Sequence, residues 1–302
     1  MKKKINNGSL TLTRRKLIDN SAKLIVLTAA LLTAVVVFGI FYFLLSEGLR
    51  IFTYITPLEF FLNEQWYPVD RNPDFGILAL MMGTLSVTGL TLLISVPMGF
   101  VVSIYLSEFS GSKMRNTIKS IVEFVAGMPS VVLGSFGLRY LSRWILETFP
   151  SVWTGLNILN ASIILSILAM PYFVTLMEDS LRDVPRDQRE ASLSLGATQT
   201  ATIFRVVVPQ ARSGVMNAII IGANRVIGET MVVLMVAGGA AMIPTSVLDP
   251  VRPMTAAIAG EMGEVAVGSA HYHALFMIGV VLLIFSTVFT IIAMKLKRGR
   301  RG

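Results

Sequence analysis

The 302-residue chain is 54% hydrophobic and 15% charged, carries a formal net charge of +8 and contains no cysteine. Soluble domains average about 25% charged residues, so a water-exposed globule is excluded, as are disulfides and thiolate metal sites. The mean hydropathy of +0.69 points instead to a polytopic all-α membrane protein.

The predicted elements follow in chain order. Residues 1–23 read as a basic cytoplasmic tail, followed by a first transmembrane helix over 24–46. That apolar run is longer than the ~7–15 residues of a secretory core, and no small-residue cleavage pattern follows it, so it is expected to be retained. An extracytoplasmic loop over 47–75 carries five acidic residues and the stretch "NEQWYPVDRNPDF". Residues 76–294 then form a core of five further helices. The second span, 76–107, clusters Gly83, Thr84, Ser86, Thr88 and Gly89, small residues that permit close helix contact in lipid, and Pro97 predicts a kink. The third span, 118–141, is interrupted by Pro129, Gly134 and Gly137. Such breaks are tolerated where protein or a water-filled cavity surrounds the backbone. The fourth span is 155–177 and the fifth is 215–236. An outer connection over 238–273 is apolar enough to re-enter the membrane in part. Its His271 and His273, at a spacing of two, fit a strand better than a helical metal site, and no third ligand is evident. The sixth span covers 274–294, and 295–302 is a basic cytoplasmic tail.

Topology follows from lysine and arginine. Of 26, 20 fall in the two tails and in the connections between spans two and three and spans four and five. This bias places both termini in the cytoplasm and fits six spans. It accounts for the positive charge without nucleic acid.

The connection over 178–212 is the most specific segment. A helix is predicted from Asp187 to Leu195, stopped by Gly196, and a second amphipathic helix from Thr198 to Val207 ends near Pro209. Two short cytoplasmic helices at an angle suit a groove on a soluble partner. The chain has no G-x-x-x-x-G-K-[ST] phosphate loop, so ATP hydrolysis has to come from elsewhere. No cofactor or metal is expected here.

Inside the fifth span stands "ANRVIGETMVV", with Arg225 and Glu229 four residues apart and so on one helix face. An arginine at bilayer depth costs from about 2.5 to 17 kcal/mol. One reading is a structural ion pair clamping two helices. The other is an anion path, because the guanidinium fork matches a tetrahedral oxyanion. Gly222 and Gly228 flank the pair and suggest close backbone approach.

Two resemblances sharpen this. The pattern Glu190-Ala191-Ser192, Gly196 and Val206-Val207-Val208-Pro209 resembles the EAA loop of ABC importer permeases. Ser192 replaces the second alanine, and valines replace the usual isoleucine and leucine. "RVIGET", "VSIYLSEF", "EFVAGMPSVVLGSFGL", "QWYP" and "TAAIAGEMGE" with "HYHALFMIGVVLLI" together resemble the phosphate-specific ABC transporter permease family, its C-type subunit more than its A-type sister. The likeness runs from about residue 24 to 294. It implies a type I ABC importer permease fold in the bacterial cytoplasmic membrane. It also implies an A-type sister permease, two ATP-binding subunits that bind the ATP, and an extracytoplasmic phosphate-binding protein. Carried over, Arg225, Glu229 and Thr230 belong to the substrate path, and Glu190, Ala191, Gly196 and Pro209 to ATPase coupling. The competing readings are a permease for another oxyanion, sulfate or molybdate, and an ion-coupled secondary transporter using Glu229 as a proton site.

Overall fold

The computed structural model describes residues 7–298; Lys2, Lys3, Lys4, Arg300 and Arg301, part of the topology signal, lie outside them. Among the described residues, five helices are long and apolar enough to cross a membrane, and a sixth span is made by a bent pair. Apart from one two-stranded hairpin and an isolated bridge, the elements are helical.

The first helix, α1 (Asn7–Leu49), starts well before the apolar run, because nothing in the basic segment breaks a helix. Its middle is exposed along its length, and only its outer end packs, against the last helix. The outer loop is ordered. α2 (Pro57–Leu62) begins with a capping box in which Thr56 accepts from the Glu59 N–H while the Glu59 carboxylate accepts from the Thr56 N–H. Strands β1 (Trp66–Tyr67) and β2 (Asp74–Phe75) pair antiparallel. Phe60, Trp66 and Phe75 are thereby buried beside Ile51, Ile77 and Leu275 in an outer apolar cluster.

α3 (Leu78–Ile104) keeps Pro97 inside it and ends in a wider π-type turn at Tyr105–Phe109. It packs along α7 (Ile158–Arg182), where Ser162 and Ser166 donate to the α3 carbonyls of Val87 and Thr91. These small polar residues let two apolar helices meet backbone to backbone.

The third span departs from the sequence expectation. α4 (Ser112–Ala126) and the helical run made of α5 (Ser130–Phe136), a π-type turn and α6 (Ser142–Thr148) meet at an 89° bend at Gly127–Pro129. The crossing segment is 130–148, about 28 Å at helical rise, which matches the ~30 Å hydrocarbon core. Residues 118–126 belong to an amphipathic helix turned at a right angle to it. The cause is local. Pro129 disfavours helix at Met128 and withholds a backbone donor. α4 is then held sideways by charge: Arg115 and Lys119 pair with the buried Glu178 of α7 at 2.7 and 2.5 Å.

The fifth span also differs. A helical run extends from Gln199 to Ile227, through α9 (Gln199–Thr202), a π-type turn at Ile203–Val207 and α10 (Val208–Ile227). Pro209 therefore does not end the second hairpin helix. The wider turn shifts the hydrogen-bond register ahead of it, so the missing N–H falls in the first turn of α10, where it is tolerated. α10 ends at Gly228, and α11 (Met231–Val236) resumes after Thr230. The outer connection holds α12 (Met254–Glu261), folded inward so that Met254, Thr255, Ala256 and Ala257 are buried. α13 (Ala270–Arg298) closes the fold. Its first turns contain His271 and His273, which are helical rather than in a strand.

Candidate translocation site and coupling hairpin

Arg225 stands in the last turn of α10, and Glu229 lies beyond the helix end, in the link to α11. The two are ion-paired all the same, with Arg225 Nη1 on Glu229 Oε2. They share no helix face; the pair spans a break in the helix. Glu229 is 4% exposed and the Arg225 side chain 36% exposed, so the carboxylate is sealed in and the guanidinium has an open side. Tyr172 of α7 is a second partner of that guanidinium.

The break is held by hydroxyls. Thr255 Oγ1 donates to the Glu229 carbonyl at 2.9 Å, and Thr230 Oγ1 donates to the Gly228 carbonyl at 3.2 Å. One residue before Arg225, Asn224 donates to Thr290 at 2.9 Å and accepts from Ser286 at 3.0 Å, which fixes α10 to α13. Gly222 lies against Phe173 of α7: a Cβ there would stand 2.3 Å from the ring. Gly228 shows no such approach, since its only neighbour within reach is the Asn224 carbonyl of its own turn. Its role is to end α10. Thr255, Tyr172 and Asn224 were not legible as site residues, because each comes from another element with no motif of its own.

The hairpin at 186–207 begins with α8 (Arg186–Ser194). Gly196 follows with φ +82°, the left-handed conformation that terminates a helix and that a side chain resists. Thr198 then caps α9, accepting from the Ala201 N–H. The inner side is tied down: Arg189 bonds Glu108 and the Leu181 carbonyl, and Ser192 bonds Thr202. The outer side carries Glu190, Ala191, Gly196 and Pro209, all exposed, with Leu193, Leu195 and Phe204 at 47%, 89% and 57% exposure. Exposed leucines and a phenylalanine grouped on a polar hairpin mark a contact surface.

At the opposite end, Glu261 of α12 joins three outer segments. Its carboxylate accepts from Trp66 Nε1 at 3.0 Å, pairs with Arg252 at 2.7 Å and lies 2.8 Å from His271 Nε2. It forms part of the wall of a cleft of about 960 Å³ that Trp153 and Tyr67 also line. His273 turns elsewhere, its Nδ1 3.3 Å from Glu47, so the two histidines do not converge.

A broken span with a charged pair, a right-angled surface helix and an exposed cytoplasmic hairpin on a multi-span helical core define a permease subunit of an ABC importer. Residues 95–302 match the family model described as the binding-protein-dependent transport system inner membrane component, and the chain belongs to that family. Within it the chain is PstC-like. It is 31% identical to the phosphate transport system permease protein PstC of Mesorhizobium japonicum over 253 residues, 78% of this chain and 76% of that one. It is 32% identical to the probable ABC transporter permease protein YqgH of Bacillus subtilis over 289 residues, 95% and 93% of the two chains. Among solved structures, a bacterial ABC transporter involved in import of the acidic polysaccharide alginate aligns with a TM-score of 0.63 at 15% identity, covering 95% of this chain and 100% of that one. The MetNI methionine ABC transporter in an inward-facing conformation aligns with a TM-score of 0.55 at 20% identity, covering 74% and 94%. These two likenesses concern the fold.

Proposed function

We propose that this chain is the transmembrane permease subunit of an ATP-driven importer of inorganic phosphate, forming half of the translocation path. The observation that carries the reading is the Arg225–Glu229 pair at the helix break, with the carboxylate buried and the guanidinium partly open. A guanidinium fork offers bidentate donors to an oxyanion, and Glu229 holds it and offsets its charge until an anion competes. Thr230 lies beside the pair as a further hydroxyl. The phosphate assignment draws its support from the PstC relatives.

In this reading the hairpin docks an ATP-binding subunit through Glu190, Ala191, Gly196 and the exposed leucines, and Pro209 sets the start of α10 behind it. An A-type sister permease supplies the other half of the path, two ATP-binding subunits supply the energy, and an extracytoplasmic phosphate-binding protein delivers the substrate to the outer face. The bacterial cytoplasmic membrane, with both termini inside, satisfies the lysine and arginine bias.

The test is labelled phosphate uptake by energised cells carrying the full transporter, wild type against Arg225→Gln, with excess unlabelled sulfate as competitor. Uptake lost at unchanged protein level, with no sulfate competition, supports the path and the substrate. Normal uptake in Arg225→Gln reduces the pair to a helix clamp. Competition by sulfate moves the assignment to another oxyanion.

A further inference from the structure

We propose that Glu108 is the positioning residue that ties the cytoplasmic hairpin to α3 and so passes hairpin movement to the Arg225–Glu229 break; this rests on reading the hairpin as the ATPase docking element. Glu108 sits in the π-type turn that ends the α3 run, with its side chain only 9% exposed. Both legs of the hairpin grip it. Arg189 of α8 pairs with its carboxylate at 3.1 Å, and Gln199 of α9 donates to its backbone carbonyl at 3.2 Å. Both bonds lie on the inner side, away from the exposed leucines.

From Glu108 the helical run Leu78–Phe109 extends about 48 Å toward the outer side at 1.5 Å per residue. Near its far end Thr84 Oγ1 accepts the backbone N–H of Met254 at 2.9 Å. The next residue, Thr255, holds the Glu229 carbonyl. Hairpin and ion pair are thus joined by one helix and two hydrogen bonds. A helix moves nearly as a rigid body, and coupling between distant sites needs a contiguous element of this kind. The hairpin's other inward contacts are apolar: Ile203 and Val207 pack on Ile104 and Leu181. Apolar surfaces slide, whereas a largely desolvated ion pair and an amide bond to the same residue are directional.

The experiment uses the assembled transporter in liposomes, measuring ATP hydrolysis and phosphate uptake in the same vesicles. Glu108→Gln is expected to retain the ATP-binding subunits and their hydrolysis while phosphate transported per ATP falls about tenfold, within the usual range of coupling between sites. The charge swap Glu108→Arg with Arg189→Glu is expected to recover most of that ratio, which a purely structural role for the position would not do. An unchanged ratio in Glu108→Gln overturns the proposal, as does a swap no better than the single variant. A proportional fall of hydrolysis and uptake with loss of the ATP-binding subunits also overturns it. If the wild-type chain retains no ATP-binding subunit, the docking reading itself fails, a separate result.

Discussion

Thr255 Oγ1 donates to the backbone carbonyl of Glu229 across 2.9 Å, joining the outer helix α12 to the break in the fifth span. The carbonyl it satisfies belongs to a buried residue just past a helix end, where no helical N–H is available. Replacing Thr255 by valine keeps the shape and removes the donor. A buried acceptor left unpaired costs about 1–3 kcal/mol, so Thr255→Val is expected to lower the melting temperature of the purified complex and to reduce uptake. Thr255→Ser restores the hydroxyl and is expected to restore both. Equal behaviour of the two variants would remove the hydrogen bond from the explanation.

A second expectation concerns Glu178, whose fully buried carboxylate holds Arg115 and Lys119. Removing one partner of a buried pair costs about 3–5 kcal/mol. The two cations are about one-fifth exposed, which places Glu178→Ala toward the low end of that range. Because α4 has no buried residue of its own, the loss should appear as its release from α7. Limited proteolysis within 112–126 reads this directly, and a variant as resistant as wild type would contradict it.

The two glycines flanking the ion pair should respond differently. In Gly222→Val the new Cβ would stand 2.3 Å from Cε1 of Phe173, and overpacking of this kind costs about 1–3 kcal/mol. Combining it with Phe173→Leu should recover part of the loss. Gly228 has φ −83° and meets only its own turn, so Gly228→Ala should leave thermal stability nearly unchanged. A reversed order would mean that the packing of α10 on α7 is misassigned.

The outer turn at 245–249 carries a pH dependence. The backbone N–H groups of Thr245 and Ser246 donate to the Asp249 carboxylate at 2.7 and 2.8 Å, and the Thr245 hydroxyl adds a third bond. These bonds to the charged form hold its pKa below the ordinary aspartate range. A lowered folded pKa contributes stability that is present above the unfolded pKa and is lost as pH falls through the folded one. The turn should therefore stay closed from neutral pH down through the ordinary aspartate range and open only below it. Since the carbonyls of Val247 and Asp249 accept the first N–H groups of α7, opening also frees the start of that helix. Amide hydrogen exchange at 245–249 and 158–159 follows both, and Asp249→Asn should raise exchange at neutral pH. Protection lost already near pH 6, or kept in Asp249→Asn, would contradict this account.

The outer and cytoplasmic ends were unequally legible. Gly196 was readable as a stop because a left-handed residue after a polar helix is a local requirement, and the hairpin from Glu190 to Val207 is built almost wholly from neighbours in sequence. The Glu261 node was not readable. Trp66, Arg252 and His271 come from three segments up to 205 residues apart, and none has a motif that announces the others. The same holds for Glu178, which reads in sequence as one more charge at a helix end.

What the amino-acid sequence determined by itself is the membrane class, the number of spans, the hairpin and the presence of a charged pair inside an apolar run. Each depends on composition or spacing within one segment, where hydropathy and helical period act locally. Tertiary structure alone decided that 118–126 turns through a right angle, that α10 breaks at Gly228 and that Glu229 therefore lies off the helix of Arg225. Those outcomes depend on which buried partners are available: Glu178 for Arg115 and Lys119, and Thr255 for the carbonyl that the break exposes. A polar group in an apolar interior goes where its bond can be made, and sequence spacing does not say where that is.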